Sequence, residues 1–209
     1  MALCAFLALT SGCAARQRAY ERTLEQCSHS GDASQRIEHR GGPGASYASP
    51  WAGSHLHAVE VVEVRSDCVF TVEAHAGSHV WKNEGFAYVD QYAESPTGDH
   101  LAFVAQDRDG WHVVVDGVLG PAFEGISKGP AFSLDGRHVA YVGATESLEG
   151  HVMVDGKEAL PAPMGIDQGA WGFTSDGRYV VAIRTSDGGL EVVVGGAKGP
   201  RFDSVIPDR

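Results

Sequence analysis

Positive charge is scarce in this sequence. Its 209 residues include 16 Lys and Arg against 27 Asp and Glu, which gives a formal net charge of −11. Most of the acidic excess falls after residue 48. A negative field of this kind repels phosphate backbones and anionic headgroups, so the composition speaks against nucleic-acid binding and against adhesion to an acidic membrane surface.

Apolar runs long enough to span a bilayer are also missing. The run from Met1 to Leu9 is too short for a transmembrane helix, and small residues separate it from Cys13. It predicts a signal peptide over residues 1–13 and resembles a bacterial lipoprotein signal, which implies lipidation of Cys13 and contact with a membrane only through that anchor. A buried N-terminal segment is the alternative.

Cysteine is rare, with four in the chain. Cleavage of the predicted signal would remove Cys4 and modify Cys13, which leaves Cys27 and Cys68. An exported protein, in the periplasm or anchored to the outer membrane, meets an oxidising compartment, so we predict a disulfide between Cys27 and Cys68. Two unpaired thiols are the alternative.

Runs of good helix formers are scarce as well. Residues 14–48 are predicted to form an arm, with a short polar helix up to about residue 28 and then a flexible linker rich in Gly, Ser and His. The 27 glycines in the chain favour short strands joined by tight turns. The remainder, residues 49–209, is therefore predicted to be all-β.

A repeat of about 40 residues fills this remainder. A turn of the Ser-Pro-Thr-Gly kind at residues 95–98 recurs at 133–136 and 174–177, and each copy precedes an apolar strand. A second element, VVVDG at residues 113–117, returns at 152–156 and 192–196. The copies are predicted near residues 49–94, 95–132, 133–173 and 174–209.

The strand after the turn is apolar on both faces. Leu101 and Phe103 lie on one face, and Ala102 and Val104 lie on the other. Such a strand needs cover from both sides, and one sheet of about 40 residues cannot provide it. The repeats are therefore predicted to stack face to face.

The Ser-Pro-Asp-Gly-like turn, the HVAYV strand and the VVVDG element together resemble the WD-like propeller repeats of TolB-type bacterial periplasmic proteins. The resemblance covers roughly residues 49–209 and implies a propeller-like array of about four blades of short antiparallel strands. Four alternatives for the array stay open: a four-bladed ring, an open arc, a fragment of a longer propeller, or two chains that complete a ring.

Histidine is the residue type that suggests a metal. Many of the ten histidines follow the repeat, as His55, His100 and His138 share one position that aligns with Tyr179 in the last copy. We therefore predict no resident metal and no cofactor. The weak candidates for a metal site are the four that lie outside this pattern or at its worn first copy: His55, His57, His75 and His79.

Three further motifs are assigned to the repeat and not to chemistry. Residues 125–129 fit the Gly-x-Ser-x-Gly pattern of hydrolases, but residues 165–169 keep the glycines and replace Ser127 by Asp167. Residues 107–110 resemble the start of a calcium loop and are predicted to be a polar hairpin. The aromatic residues Trp81, Trp111 and Trp171 are predicted to pack between blades.

With no catalytic residues predicted, the function that fits best is an exported, lipid-anchored scaffold that binds a protein or a small ligand at its loop face. One alternative is a propeller-type hydrolase or lyase, or an enzyme subunit, which would need acidic and imidazole side chains from several blades to converge. Another is a truncated propeller fragment.

Overall fold

The structure is a computed structural model that describes residues 59–64, 69–147 and 149–203. These residues form fifteen strands and no helix, arranged in four antiparallel sheets, which confirms the all-β class. The predicted signal at residues 1–13 and the arm at residues 14–48 lie outside the described residues. None of the described segments is a helix that could cross a membrane.

The four sheets follow one another along the chain. Sheet I contains β1 (Val59–Val64), β2 (Phe70–Ala76) and β3 (His79–Phe86). Sheet II contains β4 (Tyr88–Glu94), β5 (Leu101–Asp107), β6 (Gly110–Val115) and β7 (Val118–Leu119). Sheet III contains β8 (Gly125–Phe132), β9 (Val139–Ala144), β10 (Gly150–Val154) and β11 (Lys157–Ala162). Sheet IV contains β12 (Ile166–Phe173), β13 (Tyr179–Arg184), β14 (Leu190–Val194) and β15 (Ala197–Phe202).

Within sheets II to IV the spatial order of the strands equals their order in the sequence. Each of these sheets begins with the strand that precedes the Ser-x-x-Gly-type turn. The repeat of the sequence begins at that turn, so each sheet starts one strand earlier than the corresponding sequence repeat. The strand before each turn and the strand after it pair as antiparallel neighbours. The turn is therefore internal to a sheet.

The Asp-Gly pairs form the tight hairpins that the sequence predicts. Asp116 and Asp155 have φ of 49°, and the glycines that follow each have φ of 74°. Two successive residues with positive φ are typical of a type I′ turn, which matches the twist of the flanking strands. Asp tolerates this backbone region better than most residues.

Apolar contacts between neighbouring sheets form three clusters. Leu101 and Phe103 pack on sheet I, against Val72 and Phe86 among others. On the opposite face of β5, Ala102 and Val104 belong to the cluster shared with sheet III. This confirms that a strand apolar on both faces is covered by a sheet on each side. A third cluster joins sheets III and IV through Val142, Val152, Val181 and Val193.

The face of sheet I that points away from sheet II carries charged residues. Val72 and Ala74 of sheet I face sheet II, so Glu73, which lies between them on β2, faces away. Its partner across the ladder, Lys82, is exposed. A polar outer face is what a terminal repeat needs in a stacked array.

On sheet IV a valine points away from sheet III. Val193 packs towards sheet III, so Val192 on the same strand points away from it. Its counterparts by repeat, Val113 and Val152, are fully buried between sheets, whereas Val192 is partly exposed.

One alignment of the sequence repeat proves wrong. Tyr179 does not take the place of His100 and His138. The N–H of Arg178 bonds to Oγ1 of Thr174 as the N–H of His138 bonds to Oγ of Ser133. The third copy of the turn is one residue shorter than the others, so Arg178 occupies the histidine position.

Candidate functional site

Histidine and aspartate pair at the same place in sheets II and III. In sheet III, Nδ1 of His138 lies 2.8 Å from Oδ2 of Asp155, while Oδ1 of Asp155 accepts the N–H of Val139 at 3.0 Å. In sheet II the corresponding distances, from His100 and from the N–H of Leu101 to Asp116, are 2.7 and 2.9 Å. Each carboxylate therefore ties the Asp-Gly turn to the first residue of the central strand.

Ser133 lies close to the His138–Asp155 pair, but these residues are not arranged as a catalytic Ser-His-Asp triad. Oγ of Ser133 donates to Asp135 and accepts the backbone N–H of His138, and Ser133 is fully buried. A nucleophile requires its hydroxyl hydrogen-bonded to the imidazole ring and exposed to substrate. This serine is engaged with a carboxylate and a backbone amide, so its role is to hold the turn.

A different group of polar residues lies on the first strands of sheets II, III and IV. Strand β8 contacts both β4 and β12, so these three strands run beside one another. Each has an irregular register with its neighbour: after Asp90 in β4, on both sides of Lys128 in β8, and after Ile166 in β12. Bulges re-aim side chains and are common beside functional sites.

Four polar residues lie in or beside these irregular segments, and we call them the first-strand site: Gln91, Lys128, Asp167 and, at the end of β13, Arg184. Gln91 has φ of 34° and packs on Gly129 of the next sheet so closely that a Cβ there would collide with its Oε1. Asp167 accepts a hydrogen bond from Nη2 of Arg184 at 3.2 Å. Residues from three consecutive sheets therefore share one surface.

The electrostatics of the site link sheets III and IV. Burial lowers the pKa of the Lys128 ammonium, and the Asp167 carboxylate opposes that effect. The Arg184 guanidinium is about half exposed, with 53% of its side chain accessible, so it faces solvent beside this pair. Two cations, one carboxylate and one amide can recognise a polar ligand by both donating and accepting hydrogen bonds.

The predicted site residues fall in several places. Cys13, Cys27, Cys68, His55 and His57 lie outside the described residues. His75 and His79 lie on opposite faces of sheet I, because His79 pairs with Ala76 and His75 pairs with Val80. His75 is 3.9 Å from a carboxylate oxygen of Glu73, and His79 stacks on Trp81. Over residues 59–64, 69–147 and 149–203, no three His, Cys, Asp or Glu side chains are grouped to hold a metal.

Ser127 lies in the middle of strand β8 and not at a strand-to-helix elbow. Its hydroxyl donates to the Val142 carbonyl at 3.3 Å. Residues 107–110 form a hairpin, since Oδ1 of Asp107 accepts the N–H groups of Asp109 and Gly110. Both findings agree with the assignment of these motifs to the repeat.

The three tryptophans pack against the clusters between sheets, as predicted. Trp81, Trp111 and Trp171 each line a different one of the three.

The carboxylates of successive sheets do not converge on one another. Asp116 and Asp155 each pair with a histidine of their own sheet, and Asp167 pairs with Arg184. These groups form separate pairs.

The sequence repeat contains a signal for the first-strand site, which is a departure from the repeated residue type. Gln91 stands where the next copies have Gly129 and Gly169, and it breaks a glycine pattern that the sequence otherwise keeps. Lys128 and Asp167 occupy neighbouring positions in successive copies. A residue that departs from a structural repeat is a candidate for function, but the contact between copies is visible only in three dimensions.

The chain matches no protein-family model and no curated protein.

Proposed function

We propose that this chain is an exported, lipid-anchored, β-propeller-like scaffold of the TolB type that binds a protein or small polar ligand at the first-strand site. The observation that carries this proposal is that Gln91 packs on Gly129 of the next sheet, while Asp167 of the sheet after it acts on the neighbouring Lys128. All three strands have an irregular register at this place. Bulges and a non-glycine residue at positive φ both concentrate at functional positions.

The rigidity of the stack supports a binding role. Three apolar clusters fix each sheet against the next. A rigid frame presents polar side chains at low entropic cost on binding, because they need not be ordered by the ligand. On a propeller-like frame, successive sheets would place their first strands around a shared axis, and two chains would complete a larger ring.

The absence of enzymatic activity is part of the proposal. An enzyme of this fold would need a nucleophile or general base within reach of a second catalytic group. The Asp-His pairs of sheets II and III are bound to their own turns, and the serine beside each pair bonds to a backbone amide. A binding scaffold accounts for these residues without a reaction.

A charge reversal tests the site. Lys128→Glu places a carboxylate beside Asp167, whereas Lys157→Glu makes the same change on the exposed outer strand β11. Each protein is used to capture partners from the native envelope, with identification by mass spectrometry and circular dichroism as the check on folding. We expect a partner that wild type and Lys157→Glu recover equally and that Lys128→Glu recovers at least about tenfold less, since the reversed charge removes a charge-assisted contact with the partner. Equal recovery by all three would place binding elsewhere.

The anchor is tested separately. Mass analysis of the mature protein should show a chain that starts at Cys13 with acyl groups attached. An intact Met1 with an unmodified Cys13 would remove the lipid anchor from the proposal and leave the binding site untouched.

A further inference from the structure

His112 of strand β6 differs from its counterparts in the other copies. It is 4% exposed, and both ring nitrogens have oxygen partners. Nε2 lies 3.0 Å from Oδ1 of Asp107, and Nδ1 lies 2.9 Å from the carbonyl oxygen of Gly120. The His112 latch, as we name these three residues, ties the β5–β6 hairpin to the segment that follows the outer strand β7.

Both partners of the ring can only accept hydrogen bonds. A carbonyl oxygen has no hydrogen to donate, and an ionised carboxylate has none either. Burial raises the pKa of Asp107, but the hydrogen bond and charge of His112, with two backbone N–H groups, outweigh burial and lower it, so the carboxyl is ionised. Both ring nitrogens must therefore donate, which only the imidazolium can do.

The charges around the ring favour this protonated form. Burial by itself lowers the pKa of His112, but the hydrogen bonds to Asp107 and Gly120 and the attraction of Asp107 and Asp109 outweigh it and raise the pKa above its ordinary 6.5. Both carboxylates belong to the β5–β6 hairpin, and the β7 side contributes the carbonyl of Gly120.

The other copies show why the latch is local to sheet II. In sheet III, Nδ1 of His151 lies 2.9 Å from Oε1 of Glu158 on the neighbouring strand. In sheet IV the equivalent residue is Glu191, and its Oε2 lies 3.2 Å from Nζ of Lys198. Strands β11 and β15 are long enough to supply such partners, whereas β7 ends at Leu119. In sheet II a backbone carbonyl takes that place.

We propose that the His112 latch is a pH-sensitive switch that holds the segment after β7 on sheet II while the ring is protonated and loosens it when the ring loses its proton. A neutral imidazole can donate to one of the two oxygens and leaves the other without a partner. The first groups affected are the backbone bonds that flank the latch, from the N–H of Gly120 to Val113 and from the N–H of Phe123 to Trp111.

The protonation state is measured directly on the full chain by nitrogen-15 NMR of the imidazole rings. We expect both nitrogens of His112 to stay protonated above pH 6.5, where an ordinary imidazole loses its proton. His112→Gln assigns the resonance. A His112 ring that is already neutral at pH 6.5 would overturn the proposal.

Hydrogen exchange of wild type then tests the consequence. As pH rises through the His112 titration, protection of the Gly120 and Phe123 amides, corrected for intrinsic exchange, should fall about tenfold, the usual effect of losing one charge-assisted bond. Asp107→Asn should move this loss to lower pH, and Glu158→Gln should leave it where it is. Protection that does not change with pH would mean that the latch is no switch.

Discussion

The aspartate of each Asp-Gly turn has two roles: its backbone adopts a positive φ, and its side chain accepts hydrogen bonds. Asp155 adopts a positive φ and at the same time accepts the N–H of Val139 and pairs with His138. In sheet IV the same position is Gly195, which meets the backbone requirement without the side chain. Backbone geometry and hydrogen bonding can therefore be separated by mutation.

Asp155→Ala removes both hydrogen bonds and places a Cβ without polar atoms at positive φ. We expect the free energy of unfolding to fall by about 2 kcal/mol, measured by urea denaturation. Asp155→Gly loses the same bonds but no backbone energy, so its loss should be about 1 kcal/mol. If the two variants were equally destabilised, positive φ would carry no cost at this turn.

The buried His112–Asp107 pair makes stability depend on pH. Because the folded-state pKa of His112 is raised, its contribution is fully present below 6.5 and is lost as pH rises through the folded value. The pKa of Asp107 is lowered, so its contribution is present above 3.8 and is lost as pH falls. The pair stabilises the fold most between these limits. His112→Gln should flatten the alkaline side of the stability profile, measured by urea denaturation at several pH values.

Strand β9 shows how a glycine allows a neighbouring segment to approach. Gly143 of β9 is buried, and the ring of Phe123 lies where its Cβ would be. Phe123 also packs edge-on against Tyr141 two residues before Gly143, with ring centroids 6.3 Å apart. The segment that enters sheet III is held by this contact.

Gly143→Ala should therefore destabilise the protein by about 2 kcal/mol through overpacking. Gly125→Ala in β8 is the matched control, since a Cβ there meets nothing within 4 Å and its φ is not positive. It should change the free energy of unfolding by less than about 0.5 kcal/mol. Thermal and urea denaturation of both variants would show the difference, and similar losses would contradict the packing argument.

Sheet edges carry features that resist pairing with other chains. Strand β11 contains Pro161 and strand β15 contains Pro200, and β7 is only two residues long. Proline removes a backbone donor, and a short strand offers few.

At the scale of the whole molecule, the apolar clusters of the described residues lie between sheets. Phe103 is buried in the cluster between sheets I and II, at an edge-on distance of 6.1 Å from Phe86. Each sheet of such an array depends on its neighbours, so a cavity at one interface weakens both sheets.

Phe103→Ala should lower the free energy of unfolding by about 3–4 kcal/mol. Amide protection should fall in sheets I and II more than in sheet IV, which is measured by hydrogen exchange. Val80→Ala on the outer face of sheet I, where Val80 is 57% exposed, should change stability by less than about 0.5 kcal/mol. A loss confined to sheet II would mean that the sheets fold independently.

The sequence by itself determined the all-β class, the tight Asp-Gly turns and the need for cover on both faces of β5. These follow from local rules: alternation puts Leu101 and Ala102 on opposite faces, and glycine marks positive φ. Local rules also predict the polar hairpin at residues 107–110, which the structure contains.

Only the tertiary structure decided which residues of different copies meet. The third copy of the turn is one residue shorter, so Arg178 occupies the histidine position. Side chains of a strand alternate with a period of two, and the hydrogen bonds of the turn, which the sequence pattern does not show, set the register. The first-strand site depends on the approach of residues far apart in sequence, Lys128 and Asp167. The His112 latch depends on where the Gly120 carbonyl lies after the short strand β7. Bulges and strand lengths set these distances, and a pattern of residue types does not encode them.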